Sequence, residues 1–380
     1  MLVKSKKKLK FSSRCNAMSP VDQSEPLERT SREQSTSKKP FVSIVVPAYN
    51  EGAILENNLN IISDYMVSLE DDYQWELIVV NDGSTDDTGS IADACSSKRH
   101  NIKVLHHMYN FRLGQALRHA FNNCHGDYVV VLDADLNYST DHIGMLLAKA
   151  KETKAKIVIA SPYMKGGRVS NVPWLRKTLS VCANKFLAFF ARDRFQGKLT
   201  TLTGMVRAYD RQFLSRLNLK AMDMDINPEI IYKAMILRAR VVEIPAHLNW
   251  NPEEAAEMQG MKRISSIRVM RNILSSLLSG FIFRPFMFFI IPGTIIFLFS
   301  LYPIAWAFVH TITMYGKVSG KTGYTFSAAV SKAFELSPHS FIVGGITLMI
   351  SVQLVCFGII SMQNKRYFEE LFHLGSNLNP

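Results

Sequence analysis

The clearest structural signal in this chain is the segment Tyr128-Val129-Val130-Val131-Leu132-Asp133-Ala134-Asp135-Leu136-Asn137. A run of mostly β-branched residues leads directly into a cluster of acidic and amide side chains. A continuous apolar run of this length is typical of a strand that is covered on both faces, as in a parallel sheet. Because open α/β sheets bind ligands beyond the carboxyl ends of their strands, the segment predicts a buried strand with binding residues at its end.

Similar apolar runs lie on both sides of this segment, with amphipathic stretches between them. The runs are Phe41–Val46, Glu76–Val80, Ile102–Leu105 and Lys156–Ala160. The stretches with helical periodicity are Ala53–Leu69, Asp86–Ser97, Leu113–Asn123 and Asp141–Lys151. Strands that alternate with helices predict an α/β domain built on a mainly parallel sheet. The pattern loosens towards Trp250, where the predicted elements are the helices Trp174–Arg192 and Pro228–Arg238 and the strands Met205–Tyr209 and Val241–Ile244.

Two more polar clusters follow predicted strands. The first is Pro47-Ala48-Tyr49-Asn50-Glu51, in which the ring of Tyr49 can pack on a nucleobase and the carboxylate of Glu51 can accept hydrogen bonds. The second extends from Asn81 to Thr88, and it places Asp82 at the strand end with a glycine that permits a tight turn. Any one cluster could consist of acidic residues that are merely solvated at a strand end. Three such clusters at corresponding positions favour a binding role instead.

The cluster at residues 133–137 has the donor set of a metal site. Alternation in an extended segment directs Asp133, Asp135 and Asn137 to the same side. Two carboxylates and an amide oxygen suit Mg²⁺ or Mn²⁺ that is shared with substrate phosphates. Because two carboxylates this close raise one another's pKa unless a cation is present, the pair predicts a bound divalent cation.

These three clusters give residues 41–250 a resemblance to the glycosyltransferase family 2 domains of the GT-A fold, which is Rossmann-like. The apolar C-terminal region narrows the resemblance towards polyprenyl-phosphate glycosyltransferases similar to dolichyl-phosphate mannose synthases. The resemblance implies a nucleotide-sugar donor (GDP- or UDP-linked), a polyprenyl-phosphate acceptor, a divalent cation (Mg²⁺ or Mn²⁺) and inversion at the anomeric carbon.

The resemblance also implies roles for single residues. The nucleoside would be held by Pro47, Tyr49, Glu51, Val80 and Asp82, and the diphosphate would lie along Asp133 and Ala134. The catalytic pair would be Asp133 and Asp135, and the metal ligands would be Asp133, Asp135 and Asn137. Arg207 would reach a phosphate or form a structural pair, and the basic residues Lys262 and Arg263 would reach the phosphates.

The chain departs from the family pattern at one acceptor position. Relatives have an arginine before the tyrosine of Ser161-Pro162-Tyr163, where this chain has Pro162. The candidates to take its place are Lys165, Arg168, Arg176 and Lys177. The arginine that relatives have after the last strand is also not evident near Trp250.

The C-terminal third predicts a membrane anchor. Residues 286–309 and 340–363 are two charge-free runs of 24 residues, each about 36 Å long as a helix, against a hydrocarbon core of about 30 Å. Residues 263–284 have the periodicity of a helix that lies in the membrane interface. Basic residues precede the first run and follow the second, which predicts that both ends are cytosolic. The expected order is therefore a domain at 41–262, an interfacial helix at 263–284, spans at 285–314 and 340–363 joined by a linker at 315–339, and a cytosolic tail at 364–380.

The remaining composition narrows the class of protein. The first forty residues have ten basic and four acidic side chains and few aromatic ones, which predicts a disordered basic tail at 1–40. A solvated tail is the usual outcome for such a run, so no nucleic-acid partner is expected. The five cysteines form no CxxC pair, which indicates a reducing compartment, and the basic N-terminus lacks the apolar region of a signal peptide.

Together these features predict a membrane-anchored hexosyltransferase, in a bacterial inner membrane or an endoplasmic reticulum, with its catalytic domain in the cytosol. Two alternatives stay open at this stage. A sugar or lipid hydroxyl acceptor would require a carboxylate base, for which the candidates are Asp223, Asp225 and Glu229. A noncatalytic nucleotide-binding scaffold is the other alternative, and the intact Asp133 and Asp135 pair argues against it.

Overall fold

The computed structural model of the chain describes residues 39–174, 177–178, 180–182, 184–185, 199–250, 285–318 and 325–378. The expected basic tail up to residue 38, the interfacial helix at 263–284 and the phosphate-binding candidates Lys262 and Arg263 lie outside the described residues. Most of the predicted helix Trp174–Arg192 does as well.

The domain is built on a seven-stranded sheet with the order β3-β2-β1-β4-β7-β5-β8. Its strands are β1 (Phe41–Ala48), β2 (Gln74–Asn81), β3 (Ile102–His106), β4 (Tyr128–Val131), β5 (Ile157–Ser161), β7 (Arg207–Asp210) and β8 (Val241–Pro245). All neighbouring pairs are parallel except the two that include β7. Two short strands, β6 (Arg168–Ser170) and β9 (His247–Asn249), form a separate parallel pair.

Helices cover both faces of the sheet, as the apolar strands require. The helices of the domain are α1 (Gly52–Ser68), α2 (Thr88–Lys98), α3 (Leu113–Asn123), α4 (Asp141–Thr153), α5 (Arg211–Ser215) and α6 (Ile226–Ile236). Side chains of α1, α2 and α4 share one hydrophobic cluster with one face of the sheet, and side chains of α3, α5 and α6 share a second cluster with the other. The prediction of a mainly parallel α/β domain is confirmed.

The structure describes three helices in the C-terminal region: α7 (Pro285–Val318), α8 (Phe326–Leu336) and α9 (Pro338–Leu378). Two of them, α7 and α9, are long and apolar enough to cross a membrane. The helices do not stop at the expected ends of the spans, because α8 occupies part of the expected linker at 315–339 and α9 continues through most of the expected tail at 364–380.

The end of α9 contacts the α/β domain. Phe372 packs against the second hydrophobic cluster, and so does Phe288 near the start of α7. The ring of Phe368 stacks on Tyr232 of α6 with 6.2 Å between centroids. The ammonium group of Lys233 lies 5.4 Å from the centre of the Phe372 ring. The first turns of α7 and the last turns of α9 therefore lie on the same side, next to the domain.

Candidate active site

The three polar clusters predicted from the sequence lie at the ends of three adjacent strands. Strand β1 pairs with β2 on one side and with β4 on the other, and all three run in the same direction. Parallel neighbours are about 4.8 Å apart, so the residues that follow these strands lie at one edge of the sheet. The backbone N–H of Asp82 donates to the carbonyl of Ala48, and that of Leu132 donates to the carbonyl of Val45.

Hydrogen bonds join the first two clusters directly. Ser84 Oγ accepts from the backbone N–H of Asn50, and Asn50 Oδ1 accepts from that of Thr85. Asp86 Oδ2 accepts from the N–H of Gly52 at 3.1 Å, so the first turn of α1 is held by a side chain from the loop after β2. The two loops therefore form one unit.

The carboxylate of Asp82 is buried and fixed by two donors. Its Oδ1 accepts from Nδ1 of His107 at 2.7 Å and from the backbone N–H of Phe111 at 3.0 Å. An ionised carboxylate only accepts, so Nδ1 of His107 carries the hydrogen. The other ring nitrogen, Nε2, lies 2.9 Å from Nδ1 of His119, on α3. Burial, and secondarily the charge of His107, lowers the pKa of His119, so this second imidazole is neutral at pH 7.

Gly83 lets the loop with His107 and Phe111 approach Asp82. Its φ is +67°, and a Cβ atom there would lie 2.2 Å from the carbonyl carbon of Tyr109. A side chain at this position would therefore be excluded both by the backbone conformation and by the neighbouring loop.

The third cluster brings its acidic and amide groups together. Asp135 accepts a short hydrogen bond from the side-chain amide of Asn137 and a second one from the Asn137 backbone at 3.2 Å. Burial raises the pKa of Asp133, and the negative charge of Asp135 raises it further. The carbonyl of Ala134 accepts from Asn58 of α1 at 2.8 Å, which anchors the loop.

This donor set fits a hard divalent cation. Two neighbouring carboxylates whose repulsion raises a pKa are stabilised by a cation, and they leave ligand positions for substrate phosphates. No group of three His, Cys, Asp or Glu residues that could hold a metal ion occurs within the part of the chain that the structure describes. The residues of this cluster that would hold a cation are Asp133, Asp135 and Asn137, with substrate phosphates at the remaining positions.

The nucleoside-binding candidates differ in their exposure. Tyr49 is exposed, whereas Pro47 and Glu51 are partly exposed. The Val80 side chain is fully buried in the second hydrophobic cluster, so it leaves no surface for a ligand and supports the strand that carries Asp82. Ala134 is also nearly buried.

Arg207 has no exposed surface. Its guanidinium donates to the carbonyl of Leu202 at 2.6 Å and to that of Asn227 at 3.3 Å. Of the two roles expected for Arg207, this placement favours the structural one, and contact with a substrate phosphate would require the core to open. The arginine instead joins β7 to the loop before it and to the first turn of α6.

Pro162, where the chain departs from the family pattern, lies beside a network of hydrogen bonds. Ser161 Oγ contacts the hydroxyls of Thr200 and Thr201 at 2.7 and 2.6 Å. Glu243 accepts from the backbone N–H groups of the same two threonines. Lys165, Arg168 and Lys177 are exposed, so they remain candidates for binding an acceptor phosphate, and the side chain of Arg176 lies outside the described residues.

The candidate bases for a hydroxyl acceptor have other partners. Asp223 forms an ion pair with Arg112 at 2.8 Å. Glu229 accepts from the backbone N–H groups of Lys220 and Ala221 and pairs with Lys233 at 2.6 Å. Asp223 therefore links the start of α3 to the loop before α6, whereas the contacts of Glu229 stay within α6 and that loop.

His107 and Phe111 were missed by the sequence interpretation. His107 could have been found from its position directly after the strand β3. The same criterion identified the clusters after β1, β2 and β4. The hydrogen bond from Phe111 could not be found in this way, because it comes from the backbone.

The comparisons with known proteins agree with this architecture. Residues 43–217 match the family model described as glycosyl transferase family 2. A dolichol-phosphate mannosyltransferase of Pyrococcus furiosus is 31% identical over 61% of this chain and 63% of its own length. A polyprenol monophosphomannose synthase of Mycolicibacterium smegmatis is 29% identical over 57% of this chain and 80% of its own length. The chain thus spans less than two thirds of the archaeal relative.

A solved structure of glucosyl-3-phosphoglycerate synthase from M. tuberculosis is also similar. It has 21% sequence identity and a TM-score of 0.47 over 63% of this chain and 80% of that chain. The sheet topology and the three strand-end clusters agree with the match of residues 43–217 to the model of glycosyltransferase family 2.

Proposed function

We propose that this chain is a membrane-anchored hexosyltransferase that moves a sugar from a nucleotide sugar to a polyprenyl phosphate. The observation that carries the proposal is the meeting of the clusters after β1, β2 and β4 at one edge of the sheet. One edge then offers groups for a nucleoside, for a diphosphate and for a cation. The relatives named as dolichol-phosphate and polyprenol-phosphate mannosyltransferases support the acceptor class.

The residues of the site suggest a single displacement. The bond between the sugar C1 and the diphosphate oxygen breaks, a bond between C1 and the acceptor oxygen forms, and the nucleoside diphosphate leaves with the electron pair. A divalent cation, when bound, supplies charge neutralisation for that leaving group. Asp133, Asp135 and Asn137 would hold the cation, Asp82 with Tyr49 and Glu51 would hold the nucleoside, and inversion at C1 would follow.

The partners of the candidate bases favour an anionic acceptor. A phosphate oxygen is already ionised and needs orientation rather than a base. All three carboxylates that a hydroxyl acceptor could use as bases have partners. Asp223 and Glu229 pair with basic side chains, and Asp225 accepts from the backbone N–H of Asp223. The geometry therefore favours the phosphate acceptor over the hydroxyl acceptor.

The C-terminal helices suggest how the domain meets its lipid substrate. We infer that α7 and α9 cross the bilayer as a hairpin, with α8 on the far side. Because Phe288 and Phe372 both pack on the domain, the open ends of the hairpin lie next to it. The basic residues that flank the hairpin support a cytosolic domain, in a bacterial inner membrane or an endoplasmic reticulum.

The test is a donor screen with the full chain in detergent. GDP- and UDP-linked hexoses are incubated with a short-chain prenyl phosphate and Mg²⁺ or Mn²⁺. We expect one donor to give an organic-extractable, mild-acid-labile product, and we expect Asp135→Ala to give none. The exposed turn residue Asp71 provides the matched control, Asp71→Ala. Absence of product from every donor, with a folded protein, would contradict the proposal.

A further inference from the structure

The two oxygens of the Asp82 carboxylate differ in how many hydrogen bonds they accept from the described residues. Each carboxylate oxygen has two lone pairs. Both lone pairs of Oδ1 are used, one by Nδ1 of His107 and the other by the backbone N–H of Phe111. No residue that the structure describes donates to Oδ2. The Asp82 side chain retains 6% of its surface exposed, so the site presents one acceptor oxygen in a nearly buried setting.

A single acceptor distinguishes between nucleobases. Uracil presents one imide N–H between two carbonyl groups, so it donates once to a carboxylate. Guanine presents two adjacent donors, N1–H and N2–H, which pair best with both oxygens of a carboxylate. Since Oδ1 is already saturated, guanine would leave a donor poorly paired in a buried place, which costs binding free energy.

We propose that this site selects uracil over guanine, that the donor is a UDP-sugar, and that His107 is the positioning residue that sets this selectivity. The inference rests on the proposed function and deepens it at the same site. His107 acts through Asp82: it occupies Oδ1 and prevents the carboxylate from turning to present both of its oxygens.

The surroundings of His107 explain why it can hold Asp82 firmly. Its side chain is only 7% exposed. The ring contacts Phe111 edge to face with 5.3 Å between centroids. The other ring nitrogen of His107, Nε2, contacts Nδ1 of His119 at 2.9 Å. Partners at both ring nitrogens fix the tautomer and the plane of the ring.

The experiment measures dissociation constants of UDP and GDP by titration calorimetry on the full chain in detergent with Mn²⁺. The variants are His107→Leu, which removes the donor, and His107→Asn, whose side-chain N–H can take the place of Nδ1–H. The control is His100→Leu, because His100 is exposed and makes no hydrogen bond with the described residues. Both His107 variants are also combined with Asp82→Ala, and the thermal unfolding of each protein is recorded.

For the wild type we expect UDP to bind about tenfold tighter than GDP, the effect of one well-placed hydrogen bond. His107→Leu should weaken UDP binding about tenfold and bring the two constants within roughly threefold of each other, because Asp82 then regains its second oxygen. His107→Asn should restore most of the preference. In the Asp82→Ala background, His107→Leu should change UDP binding less than about twofold, since a residue that acts only through Asp82 has no further effect.

The outcomes separate this inference from the proposed function. Wild-type protein that binds GDP as tightly as UDP overturns the inference and leaves the proposed function standing. Additive effects of His107→Leu and Asp82→Ala show that His107 only supports the fold, which also overturns it. If neither nucleotide binds to wild-type protein that unfolds cooperatively, the proposed function and the inference both fail.

Discussion

Glu76, which is buried, and Asp133, which is partly buried, differ in the groups that compensate their charge. Glu76, on β2, receives hydrogen bonds from the Ser43 hydroxyl, the Lys103 ammonium group and the backbone of His125. Asp133 instead lies beside Asp135, whose charge opposes its own ionisation. A carboxylate with three donors stabilises the fold, whereas two neighbouring carboxylates would be stabilised by a bound cation. This difference distinguishes a carboxylate that stabilises the fold, Glu76, from the carboxylates of the candidate metal site, Asp133 and Asp135.

The first prediction concerns this pair. We expect Asp133→Asn to lower the rate of sugar transfer roughly 10²-fold or more, because the site loses a charge that holds the cation. The measurement is the rate of product formation over a range of Mn²⁺ concentrations, and removal of the metal with a chelator should abolish the wild-type rate. Asp71→Asn is the matched control, at an exposed turn. An unchanged rate in Asp133→Asn would exclude this carboxylate from the reaction.

The second prediction concerns pH and Glu76. Burial would raise the pKa of Glu76, but the hydrogen bonds from Lys103, Ser43 and His125 outweigh it and hold the pKa below its ordinary value of 4.5. A lowered folded-state pKa contributes stability that is present above the unfolded-state pKa and is lost as the pH falls through the folded-state pKa. Protection of β1 and β2 amides from hydrogen exchange should therefore weaken as the pH drops below about 4.5.

The matched variant is Glu76→Gln, which keeps the shape of the side chain and removes its charge. We expect it to lower the free energy of unfolding at pH 7 by about 1–3 kcal/mol, because Lys103 and the backbone of His125 lose a charged acceptor. Its amide protection should change less with pH than that of the wild type. An equal pH dependence in both proteins would contradict the assignment.

The positions of single residues could be predicted from the sequence when they depended on neighbouring residues, but not when they depended on contacts between distant segments. Asp82, Asp133 and Asp135 follow apolar runs directly, so a local pattern was enough to bring them to one edge. The burial of Arg207 depends on Leu202 and on Asn227, which is twenty residues away, and no local pattern reveals such partners. The same is true of the backbone donor at Phe111.

Among the secondary-structure elements, those with clean periodicity were predicted closely. The helix predicted at Leu113–Asn123 has the same bounds in the structure, and the strand expected at Ile102–Leu105 extends by one residue. The strand expected at Met205–Tyr209 begins at Arg207 and runs antiparallel between β4 and β5. Its direction depends on the connection around it and not on its own residues.

The third prediction concerns the contact between α9 and α6, which the sequence did not reveal. Phe372→Ala should release the last turns of α9, because the ring packs on the second hydrophobic cluster and lies under the ammonium group of Lys233. We expect a loss of about 1–3 kcal/mol, less than for a fully buried ring. The measurement is the rate of limited proteolysis between residues 365 and 378.

The neighbouring Leu371 provides the matched control, because it is 68% exposed. Leu371→Ala should leave the proteolysis rate close to that of the wild type. If both variants were cleaved at the wild-type rate, the contact between α9 and α6 would not hold the end of the helix.

For the whole molecule, the fourth prediction concerns the hairpin. In sealed vesicles, a cysteine at Asp71 in the domain and one at Ser331 in α8 should react with an impermeant maleimide from opposite sides of the membrane. Both positions are exposed, and the background is a variant without the native cysteines. Reaction of both from the same side would contradict a hairpin with α8 on the far side.

Hydropathy was sufficient to predict the two long apolar helices but not the end of α9. The segment at 364–380 contains Lys365, Arg366, Glu369 and Glu370, so it was interpreted as a tail. In the structure, its Phe368 and Phe372 face α6. The apolar run at 340–363 and the residues that contact α6 belong to one helix, α9. Hydropathy detects the apolar run but not the contact residues.

Contacts at both ends of the hairpin have a mechanical consequence. A domain joined to a bilayer by one loose connection could tilt and rotate freely. Phe288 and Phe372 belong to different helices and pack on the same cluster, so they restrict that freedom. The strand ends would then be kept at a constant height above the lipid headgroups, and the acceptor would not need to wait for the domain to turn towards it.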